Sequence, residues 1–150
     1  MRVVLDTNVL VRATQSASGP AREVLGLLFT GAHEVVISRH ILTELVRVLQ
    51  YPRVAALHRL TLDECRDFVA FVDQLAEHIE ISAGLPTDRI SSDPDDDPVI
   101  ATELAGKADV LCTLDRHLNH KDVRSHCDAH GCRVLTDVVL LTLLREAEPE

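Results

Sequence analysis

Two short apolar runs in this chain end the same way: residues 2–5 run into Asp6, and residues 109–114, with Val110, Leu111, Cys112 and Thr113, run into Asp115. Runs this short, without polar alternation, read as strands buried on both faces, the pattern of a parallel sheet covered by helices. Residues 34–37 and 133–135 are further strand candidates, and the segments between them have helical length and period. That alternation predicts an α/β fold, a three-layer α/β/α sandwich around a central, mostly parallel sheet. A chain of 150 residues can bury one such core without staples, so residues 1–150 are expected to form a single domain.

Helix boundaries are written locally. Ser38 is placed to cap a helix carrying Ile41, Leu42, Leu45, Val48 and Leu49 on one face. Thr61 and Glu64 form a capping box ahead of Leu62, Cys65, Val69, Val72, Ala76 and Ile79, which predicts a helix running through Ile79. The Gly, Pro, Ser and Asp content of residues 83–98 predicts a loop, and Thr136 and Asp137 precede a last apolar helix. Asp97 opens another helix with Pro98 at its first position, where the missing N–H costs nothing.

In open α/β sheets the ligand crevice lies beyond the carboxyl ends of the strands, so Asp6 and Asp115 share one crevice if their strands are neighbours. At 3.6 residues per turn Asp97, Ala101, Leu104 and Ala108 form one stripe, which starts Asp97 on the inward side of its helix. Glu44 falls about 100° from the middle of its helix's apolar face, at the boundary between core and water. Four converging carboxylates repel one another unless a cation neutralises them, and Mg2+ or Mn2+ prefers oxygen ligands of this kind. Each acid also has an ordinary reading: Asp97 as a helix cap, Glu44 as a solvated helix residue, Asp6 and Asp115 as turn formers after strands. The residues alone leave both readings open.

Three pieces taken together resemble the PIN-domain family of nucleases: DTNVL at 6–10, ISRHILTELVRVL at 37–49 and DPDDDPVIATELAGKADVLCTLDRHL at 93–118. The resemblance implies an α/β/α sandwich that cleaves RNA through an acidic Mg2+ or Mn2+ site. It carries the acidic positions over to Asp6, Glu44, Asp97 and Asp115, and the supporting polar positions to Asn8 and Thr113. Within the run of acids, Pro98, Val99, Ile100 and Ala101 resemble the family's apolar helix start. That favours Asp97 over Asp93, Asp95 and Asp96. The resemblance further implies a toxin of a toxin–antitoxin pair, a homodimer, and an antitoxin partner whose tail covers the acidic pocket.

Composition bounds the alternatives. Apolar residues make up 46% of the chain, yet no run approaches the roughly 20 residues of a membrane span. Asp6 and Asn8 interrupt the uncharged stretch a signal peptide would need, so a cytoplasmic location is expected. Cys65, Cys112, Cys127 and Cys132 form no C-x-x-C pair and read as free thiols. A net charge of -9 opposes encounter with RNA; Arg39, Arg47 and Arg53, near the Glu44 helix, could contact RNA phosphates, but dispersed arginines are more often a solvated surface. His117, His120, His126, Cys127, His130 and Cys132 invite a zinc reading, but they lack the paired spacing of structural zinc sites. A surface helix ended by Gly131 is the expectation there.

Two other functions remain in view. Haloacid-dehalogenase-like phosphatases also place an Asp after the first strand, but need a second two residues on, where this chain has Asn8. A PIN-like fold without its acids serves as a protein-interaction or RNA-binding module, whereas here all four acids are present.

Overall fold

A computed structural model describes residues 1–81 and 97–148, and for Asp97 the backbone alone. The loop expected over residues 83–98 therefore lies almost wholly outside the described residues, as do Asp93, Asp95 and Asp96. The strands are β1 (Arg2–Leu5), β2 (Glu34–Ser38), β3 (Glu77–Ile79), β4 (Val110–Cys112) and β5 (Arg133–Leu135). They pair entirely in parallel in the order β3-β2-β1-β4-β5. The helices are α1 (Thr7–Gln15), α2 (Pro20–Leu28), α3 (Arg39–Leu49), α4 (Pro52–His58), α5 (Leu62–Leu75), α6 (Asp97–Gly106), α7 (Lys121–Asp128) and α8 (Asp137–Ala147).

Parallel neighbours require crossovers, and right-handed crossovers fix the layers. The chain leaves β1 in one direction for β2 and β3, then returns through α6 to β4 and β5 on the other side of β1. The first set of crossover helices covers one face and α6 and α7 the other, while α8 comes back to pack on α2. The three-layer expectation holds. The central strands are buried on both faces: Val3, Val4, Leu5, Val110, Leu111 and Cys112 are all at most 2% exposed, which is why their sequence lacks alternation.

The caps lie where the sequence puts them. Ser38 accepts a hydrogen bond from the Ile41 N–H, Thr61 and Glu64 complete their capping box, and Thr136 caps α8. Two boundaries differ. The strand expected over residues 109–114 is confined to Val110–Cys112, so Asp115 lies three residues beyond its end. The helix expected to run through Ile79 stops at Leu75, and Glu77–Ile79 form edge strand β3. Three residues are too few to display a strand period, and Ala76 and Ile79 fall on the helical face by coincidence of spacing. Helix α6 differs in another way: all of residues 99–103 are buried, so it is enclosed all round rather than inward along one stripe. Among the described residues, no helix is long and apolar enough to cross a membrane.

Candidate metal centre

The point between β1 and β4 is where the strand order reverses, and there both strand ends open into one crevice. Leu5 pairs with Cys112 across the two strands, so the residues that follow, Asp6 and Thr113, emerge side by side. The Thr113 hydroxyl donates to Asp6 Oδ2 at 2.7 Å, and Asn8 Nδ2 donates to the same oxygen at 3.1 Å. Asp6 Oδ1 accepts from the Thr7 N–H at 2.8 Å, which makes the acid also the N-cap of α1.

These bonds lock two loops together. Asn8 Oδ1 accepts from the Leu114 N–H at 3.0 Å, and Thr113 Oγ1 accepts from the Asp115 N–H at 3.0 Å. Asn119 Nδ2 closes the turn on the carbonyls of Thr113 and Asp115, and Asp115 Oδ1 accepts from the His117 N–H at 2.8 Å. Glu44 arrives from α3. Its Oε2 accepts from the Thr7 hydroxyl at 3.0 Å and lies 3.6 Å from His40 Nε2. The side chain is 30% exposed, the boundary position its helical period predicts.

Asp6, Glu44 and Asp115 line one cleft of about 440 Å³, together with Thr7, Asn8, Arg12, Gln15 and Val99 among others. Val99 belongs to the first turns of α6, so the helix that Asp97 opens reaches the same cleft. The side chain of Asp97 lies outside the described residues. Among the described residues no three His, Cys, Asp or Glu side chains already stand close enough to hold one ion. The acids ring a space that leaves room for a hydrated cation.

Electrostatics mark Asp6 as the demanding member. Burial pushes its pKa up to about 6, and the nearby charges of Glu44 and Asp115 push in the same direction, against the lowering effect of its bonds from Thr113 and Thr7. A cation beside it relieves both burdens at once, and the donor set, all oxygen, suits Mg2+ or Mn2+. The residues present therefore fit such an ion.

Three cleft residues were not singled out from the sequence. Thr7 ties Glu44 to the Asp6 turn, while Arg12 and Gln15 continue the face of α1 that begins at Asn8. The spacing 8, 12, 15 is the helical period read outward from the acid, a signal present in the sequence. In the His- and Cys-containing segment, α7 ends at a left-handed Gly131 as expected, and all four cysteines are free and buried. Among the described residues no third ligand joins any His or Cys pair there.

A family model described as PIN domain matches residues 2–117, most of the chain and a range that contains Asp6, Glu44, Asp97 and Asp115. The fold is similar to the crystal structure of VapBC2 from Rickettsia felis bound to a DNA fragment from their promoter, with a TM-score of 0.61 and 17% sequence identity. That similarity covers 91% of this chain and 98% of the other. No curated protein matches the sequence.

Proposed function

We propose, from the premise that this chain belongs to the PIN-domain family, that it is a metal-dependent endoribonuclease acting as the toxin of a toxin–antitoxin pair. PIN domains are in general nucleases, so membership supports a hydrolase acting on nucleic acid. The observation that carries the finer reading is the convergence of Asp6, Glu44 and Asp115 on one cleft at the carboxyl ends of β1 and β4. The likeness to VapBC2, slight in sequence, is consistent with a toxin that has an antitoxin partner.

Asp6, Glu44 and Asp115, with Asp97, would hold Mg2+ or Mn2+. The bound ion supplies charge neutralisation and a water of lowered pKa for attack on the phosphodiester. The chain's own residues prepare this. Thr113 and Asn8 hold the Asp6 carboxylate in one orientation, so no reorganisation is needed when charge develops. The Thr7 hydroxyl holds Glu44 by donating to its Oε2. Arg12, the cation lining the acidic cleft among the described residues, is placed to pair with a substrate phosphate, as guanidinium does bidentately. A PIN-like scaffold used only for binding would have no need of this oriented set of acids.

Purified protein is expected to cleave single-stranded RNA with Mg2+ or Mn2+, to stop in EDTA, and to recover on adding Mn2+. Cleavage undiminished by EDTA, or unchanged in Asp6→Asn, would overturn the metal mechanism.

A further inference from the structure

Away from the cleft, the end of α7 presents two imidazoles together. His126 Nε2 and His130 Nε2 are 3.0 Å apart, with ring centroids 4.4 Å apart and planes crossing at 84°. His126 is half-buried and His130 exposed. The backbone beneath them is held firmly. The Cys132 N–H donates to the Cys127 carbonyl and the Gly131 N–H to the Asp128 carbonyl, both at 3.0 Å. Gly131 takes φ +81°. This is a Schellman closure, and the buried Cys127 and Cys132 supply the apolar contact that accompanies it.

We propose that His126 and His130 form a surface site for a nitrogen-preferring divalent transition metal such as Zn2+, separate from the acidic cleft. With metal–nitrogen bonds of about 2.0–2.1 Å, two nitrogens 3.0 Å apart subtend roughly 95° at a shared ion. That angle lies between the octahedral and tetrahedral values, so an ion enters with small ring movements. Imidazole nitrogen suits Zn2+, Ni2+ and Cu2+, whereas Mg2+ demands oxygen. The two sites of the chain therefore select different metals.

Ligand rings must be neutral. Partial burial, and then the neighbouring His130, hold the pKa of His126 below its ordinary value, which keeps a lone pair available near neutrality. The pair also sits at the carbonyl end of α7, where the helix dipole favours a cation. Water completes the coordination, since among the described residues no third His, Cys, Asp or Glu stands with the pair. Without metal, the same 3.0 Å separation is an N–H···N hydrogen bond between the two rings.

The experiment titrates ZnCl2 into the protein in excess Mg2+ and follows imidazole nitrogen resonances by NMR, a readout independent of RNA cleavage. His126 and His130 Nε2 are expected to shift together and saturate at one equivalent. His126→Gln or His130→Gln should weaken that binding by roughly tenfold or more, as loss of one of two ligands demands. Asp6→Asn should keep it. Imidazole resonances unmoved by Zn2+, or Gln variants that bind as tightly as the wild type, would overturn the site and leave only the hydrogen-bonded pair.

Discussion

A carboxylate at the end of a buried strand is costly, and this chain bears that cost at Asp6, which is 5% exposed. A second buried acid, Glu103, has no such use in the cleft: it is 1% exposed, and its Oε2 has no hydrogen-bond partner. Burial raises the Glu103 pKa from 4.5 to about 7, against a smaller lowering from its bond with Cys132. The unfolded chain releases this proton near pH 4.5, the folded chain only near 7. Stability from this group is therefore lost as pH rises between those values and is flat above them. Glu103→Gln should flatten that part of the pH profile and stabilise the protein above pH 7 by up to about 3 kcal/mol. Urea unfolding at about pH 5 and pH 8 checks this, and an unchanged pH dependence in the variant would refute it. At the acidic segment, Asp97→Asn should abolish cleavage and most of the Mn2+-induced rise in melting temperature, while Asp95→Asn should keep both. Metal that binds only the folded state adds about 2.7 kcal/mol at a hundredfold excess over Kd, so the shift is readily measured. The opposite pattern would move the ligand to Asp95.

At the scale of elements, α6 matters to the proposed site, because it opens at Asp97 and brings Val99 to the cleft. Its seat is set by Ser38 and Gly106. The Thr102 hydroxyl donates to Ser38 Oγ at 2.8 Å, so one serine both caps α3 and fastens α6 to the end of β2. At the other end of α6, a Cβ on Gly106 would lie 2.6 Å from Val36 Cγ1 and 3.2 Å from Ile79 Cδ1. Gly106→Ala should cost about 1–3 kcal/mol through overpacking against β2 and β3. Chemical denaturation measures that cost, and a loss near zero would mean that α6 sits less tightly on the sheet. Because α6 also presents Asp97, the same variant should lose activity in proportion to its displacement.

At the scale of the molecule, the surface of α8 carries the proposed contact between copies. Val138 and Val139 are 57% and 51% exposed, and with Leu135 and Leu143 they line a shallow groove at the outer edge of the sheet. A homodimer that covers this face is the proposal, and sedimentation at micromolar concentration should show it. Val139→Asp should shift the protein toward monomer by placing a charge in the apolar contact. A wild type that sediments only as monomer would end the proposal. Under the proposed function, the net charge of -9 would favour a basic antitoxin segment over the acidic cleft and would leave RNA contact to local cations such as Arg12.

The strands 2–5 and 133–135, the core of the strand expected over 109–114, the caps at Ser38, Thr61 and Thr136, and the glycine stop at Gly131 were legible along the chain, because each depends on residues within a turn or two of one another. Edge strand β3 was not, since three residues carry no period and Glu77–Ile79 become a strand only by pairing with β2. The acids were legible as candidates for the same local reason: Asp6 and Asp115 follow apolar runs, and Glu44 sits at a helix boundary. Their meeting was not. The sequence alone determined which residues are strand, helix and strand-end acid, through spacing and capping. Only the tertiary structure decided that β1 and β4 are neighbours, that Thr113 donates to Asp6, and that α3 carries Glu44 to the same cleft, because those contacts join residues up to 107 positions apart and are fixed by crossover topology.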